Sequence, residues 1–193
     1  MAEYDVRQLI EGKELEVNLV SVLAYGKTFE TDIGYMVCSE VAWAPDSKAF
    51  FVTYSDGGAV GNFHVVIYYL GKDGLSDIEP TAQVMSDYLS RPRTCFDDEE
   101  PNIAAIAWRG DSSHILLAAE TLPHSNCEEM GTFRAYKVEL PSGKIIRSYG
   151  QITAKKLFWK HLGDELRNAD DECAQIPKPK SCEIPGLHPK KIK

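Results

Sequence analysis

The chain is predicted to be mainly β with helices, an α+β arrangement of two antiparallel β units in an open assembly, completed by a C-terminal amphipathic helix and an irregular tail. Three observations predict this. The stretch Ser39-Glu-Val-Ala-Trp43-Ala-Pro-Asp46-Ser47-Lys-Ala-Phe-Phe-Val-Thr-Tyr54 aligns without gaps with Ala104-Ala-Ile-Ala-Trp108-Arg-Gly-Asp111-Ser112-Ser-His-Ile-Leu-Leu-Ala-Ala119, and a frame repeated over this length marks a supersecondary unit used twice. Each block is followed by a second run of β-formers, Phe63 to Leu70 or Phe133 to Leu140, ending in a turn, Gly71-Lys-Asp-Gly74 or Pro141-Ser-Gly-Lys144. The best helical pattern, Ile152 to Ala169, follows both units.

Taken in order, Tyr4 to Glu11 reads as a short polar or helical piece and Leu15 to Tyr25 as a strand. With Lys27 to Cys38, that strand is the expected remainder of an earlier, incomplete unit. Unit one spans about 39–90, its last part, Ile78 to Leu89, being a short helix or an outer strand. Its internal link, Ser55 to Asn62, is glycine-rich and suits a hairpin loop. Unit two spans about 102–150. Its link, Glu120 to Thr132, is longer and polar and carries a cysteine. Loops on a rigid β scaffold are where recognition residues accumulate, so this link is the first expected contact surface. Helix and tail occupy 152–193, and the whole of 1–193 reads as one domain. In the helix Thr153 is the expected N-cap, and Leu157, Phe158, His161, Leu162, Leu166 and Ala169 share one broad face. Gly163 weakens it by about 1 kcal/mol relative to alanine.

The block Val41-Ala-Trp43-Ala-Pro45-Asp46-Ser47-Lys48 resembles the blade motif of WD40-like propellers, most closely the Trp-Ser-Pro-Asp-Gly-Lys variant of TolB-like propellers. Trp108-Arg-Gly-Asp111-Ser112 is a weaker copy without the proline. The resemblance implies that the tryptophan strand is followed by a tight turn and a returning strand. Serine stands at Ser47 and Ser112 where the family favours glycine, which a type I turn tolerates. A closed propeller needs four to eight blades, and two with a fragment are present. The expected arrangement is therefore a reduced or open propeller-like assembly, the helix covering apolar surface that a neighbouring blade would hide. Association of copies and a longer chain are the alternatives.

Composition is that of an ordinary globular protein: 193 residues, 44% hydrophobic and 26% charged. No apolar run approaches the ~20 residues of a membrane helix. Net charge is −8. The stretch Pro177 to Lys193 holds five lysines and one glutamate, leaving 16 basic against 28 acidic residues elsewhere, a net −12. An acidic body repels phosphate backbones, which argues against nucleic acid and suits a basic protein partner. Five cysteines are present. Cys173 and Cys182 bracket a proline-rich segment and are a candidate disulfide, worth roughly 2.7 kcal/mol in the chain-entropy picture. Cys95 and Cys127 are a second candidate pair, and Cys38 reads as a buried thiol. The cysteines favour a periplasmic or secreted protein in mature form, with a cytoplasmic one as the alternative.

Candidate chemistry is sparse. Asp97, Asp98, Glu99 and Glu100 form an acidic run whose spacing does not match a calcium loop. His124 and Cys127 have zinc-ligand spacing without a second pair. His124, Glu128 and Glu129 join the acidic run as expected partner-binding residues. His161 and Glu165, one helical turn apart, are a candidate acid–base pair. Trp43 and Trp108 read as core. No nucleophile elbow, phosphate loop or His-Glu-x-x-His is present, so neither metal nor cofactor is expected. The leading expectation is a non-enzymatic protein-binding module, an exported inhibitor or immunity-type protein acting through its loops. A hydrolase-type enzyme near His161 and Glu165, or a subunit self-associating through an open sheet edge, is the alternative.

Overall fold

The computed structural model describes residues 19–34, 39–55, 61–93, 99–125 and 127–171. Strands β1 (Leu19–Ala24) and β2 (Lys27–Gly34) form a hairpin. Strands β3 (Ser39–Trp43), β4 (Ala49–Ser55), β5 (Phe63–Leu70) and β6 (Leu75–Ile78) form a four-stranded sheet in chain order. Helix α1 (Thr81–Leu89) leads to β7 (Asn102–Trp108), β8 (His114–Glu120), β9 (Phe133–Glu139) and β10 (Ile145–Gly150), a second sheet in chain order. Helix α2 (Gln151–Phe158), a 3-10 turn (Trp159–His161) and α3 (Asp164–Asn168) follow. Every pairing is antiparallel, and among the described residues no sheet closes into a barrel. The mainly β class with few helices is the class expected. Ile78 to Leu89 divides between the end of β6 and helix α1, and the Tyr4–Glu11 piece lies outside the described residues.

The central strands β4 and β8 are apolar almost throughout because both of their faces are covered. Phe50 and Val52 face the hairpin and pack with Val22 and Ile33. Phe51, Val65 and Ile67 face the second sheet and pack with Ile103, Ile115, Leu117, Tyr136 and Val138. Leu116, Ala118, Phe133 and Ala135 face the other way and pack with Ala154, Phe158 and Leu162 of the C-terminal segment. The layers therefore run hairpin, first sheet, second sheet, helices. Val84 and Tyr88 of α1 enter the core between the sheets. Thr81 docks that helix, its Oγ1 accepting from Val65 N at 2.9 Å and donating to Val65 O at 3.1 Å. This satisfies backbone that β6, paired only with Ile67 to Leu70, leaves open.

The two sheets are the same unit displaced by one layer. Trp43 packs toward the hairpin, 5.0 Å from Phe50. Trp108, its repeat equivalent, packs toward the first sheet, 6.0 Å from Phe51. Phe50 and Ile115 correspond in the same way, as do Phe51 and Leu116. Trp108 Nε1 also donates to Ala42 O at 3.1 Å, tying one tryptophan strand to the other.

The repeated Asp-Ser blocks form the two β3–β4 and β7–β8 turns, which share their closing bonds. Ala44 N donates to Ala49 O at 2.8 Å, and Arg109 N donates to His114 O at 3.0 Å. Asp46 Oδ1 accepts from Lys48 N, and Asp111 Oδ1 accepts from Ser113 N. The turns touch each other, Ser112 Oγ donating to Asp46 Oδ2 at 2.8 Å. The expectation for the two serines needs a correction. Ser47 adopts φ +56°, the left-handed region that favours glycine, whereas in the second turn Gly110 takes the positive φ and Ser112 does not.

The C-terminal helix is also corrected: the single helix expected over Ile152 to Ala169 is broken at residues 159–163. Leu162 turns extended to bury itself against the second sheet, and Gly163 starts α3. Leu157 and His161 are exposed, so they leave the apolar face assigned to them. Thr153 is not the N-cap; Gly150 is, with no capping side chain. Gln151 holds the segment instead. Its Oε1 accepts from Phe133 N at 3.0 Å, and its Nε2 donates to Asp170 O and Asp171 Oδ1. Lys155 pairs with Asp171 at 2.8 Å. No helix among the described residues is long and apolar enough to cross a membrane.

Candidate functional site

A cleft of about 650 Å³ opens where the two sheets meet the C-terminal segment, at the end of the strands away from the Asp-Ser turns. Glu40 of β3, Asn102 of β7 and Glu120 of β8 line it from the sheets. His161, Asp164 and Glu165 line it from the segment that Leu162 anchors. Apolar groups, among them Phe63, Ala104 and Ala118, fill the spaces between. No lysine or arginine is among the described residues lining it. Strand β7 bulges between Ala105 and Ala107, placing Ile106 on this wall, while the pairing of β3 with β4 is regular. Bulges next to sites re-aim side chains in this way.

Glu120 is the unusual residue of the cleft. It ends an apolar strand, opposite Asn102 on one side and Phe133 on the other, and is only 7% exposed. Asn102 Oδ1 already accepts from Phe63 N at 3.2 Å, so its amide is oriented to donate to the Glu120 carboxyl. The second carboxyl oxygen, Oε1, is buried and has no hydrogen-bond partner among the described residues. Burial, reinforced by the neighbouring charge of Glu165 and opposed by the Asn102 bond, pushes this carboxyl up to about 8. Partial burial also raises Glu40 above the ordinary carboxylate value. The cleft thus joins an acidic rim to a floor carboxyl that holds its proton at neutral pH.

The sequence-predicted site residues disperse. Asp97 and Asp98 lie outside the described residues. Glu99 is half-buried; its main-chain O accepts from Arg93 Nη1 at 3.0 Å, and its Oε2 lies 3.9 Å from Cys127 Sγ. Glu100 is exposed and lines a smaller depression of about 240 Å³ with His64 and Glu79. His124 is exposed and Glu128 half-buried. Glu129 is buried and does not extend an acidic surface. The link from Glu120 to Thr132 is folded on itself rather than projecting: Thr121 N donates to Thr132 O, Gly131 N to Thr121 O, and Met130 N to Cys127 O. Cys127 is buried and disulfide-bonded, while Cys38, Cys95, Cys173 and Cys182 lie outside the described residues. No group of three or more His, Cys, Asp or Glu among the described residues could hold a metal ion.

Of the candidate chemical and partner-binding residues, His161 and Glu165 line the cleft. Glu120 entered the sequence reading only as the first residue of the Glu120–Thr132 link, the first expected contact surface, and not as a site residue, although a signal was there. Glu120 aligns with Ser55 in the repeat, a carboxylate standing where the first unit has a buried small hydroxyl. Compared with known protein families, curated proteins and solved structures, the chain finds no match.

Proposed function

We propose that the chain is a non-enzymatic protein-binding module whose two sheets stack as propeller-like blades, and that the cleft end receives a basic segment of a partner protein. The observation that carries this is a cluster of acidic side chains, Glu40, Glu120, Asp164 and Glu165, around one cleft with no lysine or arginine among its described lining; Glu120 holds its proton and Asp164 pairs with Arg167 at 3.1 Å, so Glu40 and Glu165 carry the open charge. Such a cluster sets up a negative potential that steers and holds positive charge. The displaced, face-equivalent packing of Trp43 and Trp108 supports the propeller-like reading, as each blade of such a stack offers one face to the blade before it and the other to the blade after.

The test uses lysine- and arginine-rich peptides against glutamate-rich peptides of equal length at 0.15 M salt. The basic set is expected to bind at least tenfold more tightly, and the Glu40→Lys, Asp164→Lys, Glu165→Lys variant to lose that preference. Equal retention of both sets would sink the reading.

An exported, inhibitor-type protein is part of the same proposal. Cys127 carries a disulfide and its Sγ lies 3.9 Å from Glu99, four residues along the sequence from Cys95, which supports Cys95 as the partner. Non-reducing peptide mapping is expected to return a Cys95–Cys127 peptide pair. Free thiols at both positions would remove the disulfide and, with it, the main support for export.

One observation favours a hydrolase-type reading: His161 and Glu165 share the cleft with Glu120, a carboxyl protonated near neutrality as a general acid is. Hydrolysis of generic ester or glycoside substrates, abolished by Glu165→Gln, would favour this reading over simple binding.

A further inference from the structure

We propose that the Glu120 pocket is a socket for a single guanidinium group, the side chain of an arginine presented by the partner. The inference rests on the reading that the cleft receives a basic segment, and names what enters it.

Three features of the cleft point to this group. First, Glu120 lines the cleft, and among the described residues its buried Oε1 has no hydrogen-bond partner, so a small turn of the side chain offers it to an incoming donor. A buried acceptor left open costs on the order of 1–3 kcal/mol, and a donor brought in by a ligand recovers it. Second, Glu165 and Asp164 of α3 and Glu40 of β3 also line the cleft, Asp164 already pairing with Arg167 at 3.1 Å, so donors fanning out from one centre find acceptors on more than one element. A guanidinium offers five N–H donors in a rigid fork, whereas an ammonium is a compact, more strongly hydrated charge that is costlier to strip of water. Third, the walls are apolar: Ala104 and Ala118 are small, Leu162 is buried, and Phe63 adds an aromatic side chain to the lining. Such walls suit the methylene stem of arginine, and guanidinium planes stack on aromatic rings.

Occupation of the socket is linked to protons. The groups facing Glu120 are Glu165 and Asp164 from α3, His161 from the 3-10 turn, Glu40 from β3 and Tyr88 from α1. Burial and Glu165 keep the Glu120 proton on at neutral pH, so an arriving cation expels it. Affinity therefore rises about tenfold per pH unit below 8 and levels off above. The Glu120→Gln variant, which has no proton to expel, is expected to lose this slope.

The experiment is calorimetric titration of the whole chain with N-acetyl-arginine methylamide, its lysine counterpart and the neutral isostere N-acetyl-citrulline methylamide. Each is run at pH 6, 7, 8 and 9, in two buffers of different ionisation enthalpy. The arginine compound is expected to bind at least tenfold more tightly than citrulline and to release close to one proton at pH 7. Glu120→Gln is expected to lose the proton release and at least tenfold in affinity. Equal binding of arginine and citrulline, an unchanged Glu120→Gln variant, or no arginine binding at all would overturn the socket. Lysine binding as tight as arginine would overturn the guanidinium assignment. The two proposals fail separately: retained basic peptides without arginine-amide binding leave the binding module standing and remove the socket. Arginine-amide binding without peptide retention does the reverse.

Discussion

Glu120→Gln is expected to raise the melting temperature at pH 8 to 9 by roughly 5 °C and to leave it nearly unchanged at pH 4. In the unfolded chain this carboxyl titrates near 4.5, and in the folded chain at about 8. Between those values the folded state holds a proton that the unfolded state has released. Stability therefore falls as pH rises from about 4.5 to 8, and is constant above. Glutamine keeps the shape and the Asn102 contact but has no proton to lose, so this contribution is missing from its pH profile. The difference at high pH is on the order of 2 kcal/mol for an ionised, incompletely partnered carboxyl, and a chain of this length gains about 2–4 °C per kcal/mol. Thermal melts of both proteins from pH 4 to 9 check this, and parallel curves would show that Glu120 ionises freely. A residue that weakens the fold at neutral pH and above, at a position where unit one has serine, is the sort of local sacrifice that binding sites make.

Phe51→Ala is expected to cost about 3–5 kcal/mol and to weaken both sheets together. Phe51 is 2% exposed and packs in the core that the two sheets share, against Trp108 of the second. If that shared core holds the stack together, urea curves followed by tryptophan fluorescence and by far-ultraviolet circular dichroism coincide and shift equally. Separate transitions would mean that the sheets fold as independent units. Leu157→Ala serves as the control. Leu157 is 57% exposed, and truncating it is expected to change stability by less than about 0.5 kcal/mol.

Local pattern carried the strands. Trp43-to-Tyr54 and Trp108-to-Ala119 predicted the paired strands and turns because alternation, β-branched runs and turn residues act within a few positions of each other. The start of unit two at Asn102 was legible for the same reason. The helix was misread where a long-range contact overrides local preference. Leu162 gains more by reaching the second sheet than the chain does by continuing a helix through Gly163. Glu120 stayed hidden because its apolar neighbours make it look like the polar start of a loop, and only the fold shows it closing a strand. The cleft could not be read from spacing at all, since Glu40, Glu120 and Glu165 come from distant parts of the chain and meet only when the layers assemble.

The displacement of one unit by a single layer leaves each sheet with two apolar faces to cover. The hairpin of β1 and β2 lies against the face of the first sheet where a preceding unit would lie, and the C-terminal segment lies against the far face of the second sheet where a following one would. Each covering piece does what a capping repeat does in a solenoid, hiding from water an apolar face that a sheet cannot hide by itself.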